Sequence, residues 1–404
     1  MFKRVAESTL TRLKKYPAIT ILGPRQSGKT TLAKLTFPNH IFVTFDRLDD
    51  RALAQDDPDR FFRTYENEHG IIIDEFQYVP HIVEHVKYLI DSKAKGPGYY
   101  ILTGSENYLT KKNIRESLAG RTALLTLLPL SLEELSQNKL IGLRTSLEDV
   151  IYKGTYPRLF EENLDSTDYY SFYAQTYLER DVKGQISTEN LPLFRKFITL
   201  CAARSGQILN LESMANDLGV SGPTALEWLS ILQESYIIFL LQPYTNSFNK
   251  RVIKRPKLYF YDTGLACVLL GIYSPKDTLL SPFFGSLFET LIISDLFKQY
   301  YNRGARADLY FWRERNDKNE LDCIIKHGQQ SIPVEIKTSA NIVPSFLKGL
   351  SYWYILSPST PRIGYLIYGG IANQEKPEAT VMSWQEAGNL VQIIEEKLKK
   401  PNEY

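Results

Sequence analysis

The chain has 404 residues, 43% of them hydrophobic and 23% charged, which is too long for one ordinary core and excludes a disordered or membrane-dominated polypeptide. The 48 Lys and Arg residues nearly balance 46 Asp and Glu, so any nucleic-acid contact must come from a local patch and not from overall charge. Apolar runs such as TALLTLLPL are too short to span a bilayer, MFKRVAESTLTRLKKYP does not read as a signal peptide, and the scattered Cys201, Cys267 and Cys323 argue against a disulfide framework or cysteine-rich zinc site.

Five apolar stretches open the chain: AITIL (18–22), IFVTF (41–45), IIID (71–74), YYILT (99–103) and TALLTLL (122–128). Segments of helical length separate them. This alternation predicts an α/β fold with a parallel sheet covered by helices on both faces. The first strand runs into GPRQSGKT, which fits G-x-x-x-x-G-K-[ST] over Gly23, Pro24, Arg25, Gln26, Ser27, Gly28, Lys29 and Thr30, with Thr31 following. A loop of this kind between a strand and a helix wraps phosphates with backbone N–H groups. Lys29 is expected on the β and γ phosphates of ATP and Thr30 on Mg²⁺. The third strand ends in Asp74 and Glu75. Asp74 is the expected partner of the Mg²⁺ shell, and Glu75 the group that orients or deprotonates the attacking water.

Weaker signals follow. HIVEH (81–85) fits the H-x-x-E-H zinc-protease pattern, but it lies on the helix after the acidic strand, and His81 and His85 read as helix-surface residues. Thr103 and Ser105, after the fourth strand, either sense phosphate or cap the next helix. Arg121, just before the fifth strand, reaches the nucleotide in its own subunit, serves a neighbour as an arginine finger, or is an exposed structural residue. Ser131 is a helix cap before Glu133 and Glu134, and this domain is expected to span residues 1–140.

Residues 141–278 read as mainly helical. STDYYSFYAQTYLERDV and LPLFRKFITLCAARSG are amphipathic. NLESMANDLGVSGPTALEWLSILQESYIIFLLQPY runs helix, glycine turn, helix and strand, the layout of a winged helix-turn-helix. The would-be recognition helix has no Lys or Arg and carries Glu227 and Glu234, so it repels phosphate. The wing segment NKRVIKRPK is the opposite, with Lys250, Arg251, Lys254, Arg255 and Lys257. It is expected either to hold DNA phosphates without sequence preference or to be a solvated hairpin. Arg313 and Arg315 add charge further on.

Residues 279–404 form an α-β-β-β-α-β sequence. Asp322 lies one strand before Glu335 and Lys337. Strand alternation puts Glu335 and Lys337 on one face and lets Asp322 meet Glu335 across the hairpin. Two converging carboxylates are a Mg²⁺ site, and Lys337 positions the water. Ordinary polar-out alternation gives the same residues a bland reading. Glu320 shares the Asp322 face as a substitute.

GPRQSGKTT, DEFQYVP, LTGS and SLAGR resemble, in that order, the AAA+-type P-loop ATPases of bacteria and archaea that carry a C-terminal domain of unknown function. YLERDV, YFYDTGL, GSLFET and ELDCII…VEIKTS extend the resemblance over most of the chain. The last of these is also similar to the PD-(D/E)xK nuclease pattern, which implies a restriction-endonuclease-like domain and makes Glu289 a further acidic ligand. Two readings stay open. In one, a cytoplasmic ATPase controls a nuclease-like domain acting on DNA. In the other, an ATP-driven switch or scaffold, homo-oligomeric in some forms, binds protein partners and its last domain is catalytically silent.

Overall fold

A computed structural model describes residues 1–92, 95–105, 120–178, 186–245, 253–314, 319–357 and 362–399. The chain forms two compact units. The first comprises Met1–Leu130 with Leu232–Tyr236 and Tyr300–Ala305, and the second the remainder.

The first unit is built on a five-stranded sheet of β1 (Ala18–Leu22), β2 (Ile41–Thr44), β3 (Ile71–Asp74), β4 (Tyr100–Gly104) and β5 (Thr122–Thr126). The order is β2-β3-β4-β1-β5 and every pairing is parallel. The helices are α1 (Ala6–Leu13), α2 (Lys29–Thr36), α3 (Leu48–Asp56), α4 (Pro58–Thr64) and α5 (Ile82–Ser92). β1, β3 and β4 are buried along their whole length, as a parallel sheet covered on both faces requires. Ile19, Ile21, Leu32, Ile72, Ile101 and Leu125 form one core with Leu10 of α1.

The second unit begins at α6 (Leu132–Gln137), where Ser131 and Glu134 make a reciprocal capping box. A helical stretch follows: α7 (Leu147–Lys153), α8 (Pro157–Glu161), α9 (Ser166–Tyr173), α10 (Leu191–Ala203), α11 (Leu211–Leu218) and α12 (Gly222–Glu234). Trp228 of α12 is buried with its ring 5.7 Å from Phe194 and 5.6 Å from Phe197. The apolar positions of this helix thus pack inward, while Glu227 faces solvent.

A mixed nine-stranded sheet completes the unit. Its strands are β6 (Gln207–Ile208), β7 (Ile238–Pro243), β8 (Lys257–Phe260), β9 (Leu309–Arg313), β10 (Glu320–His327), β11 (Gln330–Lys337), β12 (Tyr365–Tyr368), β13 (Gln374–Glu375) and β14 (Thr380–Ser383), in the order β13-β14-β12-β11-β10-β9-β7-β8-β6. Its helices are α13 (Thr263–Leu269), α14 (Pro275–Leu280), α15 (Phe284–Asn302), α16 (Lys348–Leu356) and α17 (Leu390–Lys399). The strands expected to form a wing are β7 and β8, and they continue the large sheet: β7 pairs with β9 in parallel, Gln242 beside Tyr310 and Pro243 beside Phe311. Residues on both sides of position 278 therefore share one sheet. No described helix is long and apolar enough to cross a membrane.

Candidate functional site: a nucleotide loop and a charged corner

The glycine-rich loop leaves the C-terminal end of β1. Gly23 has φ 153°, and a Cβ there would lie 2.0 Å from the Leu127 carbonyl oxygen. Only glycine lets the loop pass this close to the chain leaving β5. Gln26 and Gly28 follow in left-handed conformations, φ 62° and 94°. These turns carry the loop from the end of β1 to the start of α2 at Lys29. Arg4, nearly buried, donates to the Ser27 carbonyl at 2.7 Å and to the Leu128 carbonyl at 2.8 Å. Arg25 donates to the Tyr78 hydroxyl at 3.3 Å, and Lys29 to the Pro24 carbonyl at 2.8 Å.

Sheet register brings the acidic pair to the same end, since Asp74 lies beside Thr103 and Leu22 beside Gly104. Asp74 Oδ1 accepts from the Thr30 hydroxyl at 2.7 Å and from the Thr103 hydroxyl. Burial raises the Asp74 carboxyl above the ordinary range, and the two hydroxyls oppose the shift. A carboxylate and a hydroxyl in hydrogen-bond contact beside a phosphate-binding loop fit Mg²⁺, which takes few protein ligands and keeps its waters and substrate oxygens. Glu75 sits at φ 55°. Its Oε2 accepts from the Ser105 hydroxyl at 2.8 Å and from the Gln77 amide, and Gln77 Nε2 also donates to Ser105 Oγ at 2.9 Å.

Two expectations change here, and the reading of His85 does not. The Thr103 hydroxyl is committed to Asp74, so it braces the acidic pair and does not stand as a free phosphate sensor. Arg121 precedes Thr122, which lies beside Ala18 at the start of β1. It therefore stands one five-residue strand, about 15 Å, from the loop end of the sheet. It pairs there with Asp91 at 2.8 Å, so it does not reach the nucleotide of its own subunit. His85 pairs with Asp59 at 3.1 Å and stacks on Phe62, as a helix-surface residue does. Sequence reasoning missed Arg4 and Gln77. Gln77 had a signal, two residues after Glu75; Arg4 had none.

In the second unit β10 and β11 pair antiparallel through Cys323 and Val334, which sets Asp322 against Glu335 as expected. Lys337 Nζ lies 2.7 Å from Glu335 and 3.2 Å from Asp322, and Asp322 also accepts from the Ile336 N–H at 2.8 Å. Burial pushes the Glu335 carboxyl up to about 8, the Asp322 charge adding to this and Lys337 opposing it. Glu289 of α15 is raised by burial too, against Lys257. Lys257 itself is not on a basic surface. It is only 3% exposed, and Nζ lies 3.0 Å from Glu289 and 2.6 Å from Glu320. Burial opposes its charge, but Glu289, Glu320 and Asp322 outweigh that and hold the ammonium protonated. This corrects its assignment to the DNA-binding patch: all of β8 is buried, and Lys257 lies within the sheet between β6 and β7. Lys254 and Arg255 are exposed, whereas Lys250, Arg251 and Arg315 lie outside the described residues. Arg313 leans on Glu320 at 3.4 Å.

The second corner does not fit the expected metal. Among the described residues no three His, Cys, Asp or Glu side chains are disposed to hold an ion. Glu289, Asp322 and Glu335 are each engaged with a lysine.

Comparison with known proteins finds three family models along the chain. Residues 15–136 match the family model described as an AAA domain. Residues 144–276 match a domain of unknown function, DUF8612, and residues 284–387 another, DUF4143. The amino-terminal part thus matches an AAA-type domain, which suggests binding and hydrolysis of Mg-ATP. An uncharacterized protein of Mycobacterium tuberculosis is 29% identical over 345 residues, covering 84% of this chain and 74% of its own. One from Methanocaldococcus jannaschii is 24% identical over 336 residues, covering 76% of this chain and 71% of its own. Among solved structures, the Walker-type ATPase PABY2304 of Pyrococcus abyssi is similar, with a TM-score of 0.42 and 17% identity over 67% of this chain and 96% of its own.

Proposed function

We propose that the protein is an Mg²⁺-dependent ATP hydrolase that works as a switch, and that its carboxy-terminal part engages a protein partner without catalysing a reaction of its own. The observation that carries the first half is the Asp74 oxygen shared by Thr30 of the loop helix and Thr103 of β4, with Glu75 next in the chain. Lys29 and the loop N–H groups would bind the phosphates, Thr30 and Asp74 would hold Mg²⁺, and Glu75 would take the proton of the attacking water. Mg²⁺ supplies charge neutralisation at the phosphates. Ser105 and Gln77 set the Glu75 carboxylate. To serve a neighbouring copy as a finger in a homo-oligomer, Arg121 would exchange its ion pair with Asp91 for the partner's nucleotide.

For the second half, the order of α15, β9–β11, α16 and β12 supports a restriction-endonuclease-like fold. The α11–α12 pair supports a helix-turn-helix whose acidic second helix packs and does not read DNA. Lysine pairing of the carboxylates favours a silent site over a cleaving one. Phosphate release from ATP by the purified chain is the test. Hydrolysis is expected to fall about 10²-fold or more in Glu75→Gln with nucleotide binding kept, and binding itself to fail in Lys29→Ala. A pure wild-type protein that releases no phosphate from Mg-ATP would sink the reading.

A further inference from the structure

The Asp-Glu-x-Lys arrangement accounts for one lysine, Lys337. The corner holds a second that the arrangement does not call for. Lys257 enters from β8, and its backbone is fixed from both sides: Leu241 of β7 is its partner on one edge and Ile208 of β6 on the other. Its Nζ lies 5.5 Å from the centre of the Phe311 ring, between Glu289 of α15 and Glu320 of β10. A buried ammonium is costly unless carboxylates meet it. Here two do directly, and Asp322 acts on it through space.

A divalent ion between Glu289 and Asp322 would need carboxylate oxygens at 2.0–2.6 Å, and Glu289 Oε1 already meets Lys257 while Asp322 Oδ2 meets Lys337 and the Ile336 N–H. The ion would also lie within a few ångströms of a fixed positive charge in a poorly solvated corner, where like charges repel strongly. Strand pairing on both sides fixes the Lys257 backbone beside the corner, and the two carboxylates hold its ammonium there. We propose that Lys257 takes the place of the divalent cation, making this corner a closed, metal-independent ion network that ties β8 to α15 and β10. The inference deepens the silent-domain reading and rests on it. It is independent of the ATPase half.

Mn²⁺ titration of the nucleotide-free full-length chain, followed by electron paramagnetic resonance, tests it. The wild type is expected to show no Mn²⁺ site that depends on Asp322 or Glu289. Lys257→Ala is expected to gain one, at least about tenfold tighter than anything in the wild type, and to lose it again when Asp322→Asn is added. Its melting temperature should be lowered in EDTA and recover with Mn²⁺. Wild-type Mn²⁺ binding abolished by Asp322→Asn overturns the proposal, and this arm is readable whether or not the lysine variant folds. A folded Lys257→Ala or Lys257→Ser that gains no site overturns it equally. Phosphate release from ATP and plasmid integrity, read in the same preparations, separate the outcomes. Loss of hydrolysis counts only against the ATPase reading, while plasmid cleavage by the wild type counts against the silent domain.

Discussion

Gly23 and Asp295 show how single residues carry strain and charge. At Gly23 the positive φ and the 2.0 Å approach of a Cβ to the Leu127 carbonyl leave an alanine no accommodation. Gly23→Ala should abolish binding of a fluorescent ADP analogue and lower the melting temperature. Asp295 is buried on α15, where it accepts from the Leu132 N–H at 2.6 Å and from the Gln299 amide at 2.7 Å. Burial raises its carboxyl to about 6 from an ordinary 3.8, with Lys298 opposing. The folded state thus holds a proton more tightly than the unfolded chain does. The contribution to stability is full below pH 3.8 and is lost as pH rises through about 6, a change of roughly 3 kcal/mol. Denaturant titrations across that window should show stability falling with pH, and Asp295→Asn should flatten the slope. The glycine was legible, because its motif names it. The buried aspartate was not, because burial on α15 depends on what packs over it.

At the scale of elements, strands and turns read well and their neighbours did not. β1 and β3 have the predicted limits, and the Ser131 cap is in place, since both follow from local pattern and side-chain chemistry. Arg4 is different. It lies ahead of α1, yet it ties the Ser27 carbonyl in the loop to the Leu128 carbonyl beyond β5. Charged donors to carbonyls contribute about 1.5–3 kcal/mol each, so Arg4→Ala should weaken nucleotide binding about tenfold, with Arg4→Lys recovering part of it. Isothermal titration with ADP reads this directly; unchanged affinity in Arg4→Ala would make the contact ornamental. The expected wing strands do pair antiparallel, but they belong to more than a local hairpin. The chain between β7 and β8 looked like a hairpin loop, but β7 also takes β9 as a neighbour, and pairing of this range leaves no local trace in sequence.

For the whole molecule, the nine-stranded sheet decides what can stand alone. A fragment of residues 279–404 lacks β6, β7 and β8, exposes the β9 edge, and strips Lys257 from Glu289 and Glu320. Unpaired edges and unmatched buried carboxylates both disfavour folding. That fragment should melt without cooperativity or aggregate, whereas residues 131–404 should give a single cooperative transition by circular dichroism. The sequence by itself determined the ATPase class, the parallel sheet, the loop from Gly23 to Thr30, and the hairpin that sets Asp322 against Glu335 and Lys337. All of these are written in spacing along a few neighbouring residues. Only the tertiary structure decided that Thr103 serves Asp74, that Arg121 stands at the far end of the strands, and that Lys257 turns inward to the acidic corner. Each of these depends on which distant strand lies alongside, and burial and charge are settled by that neighbour.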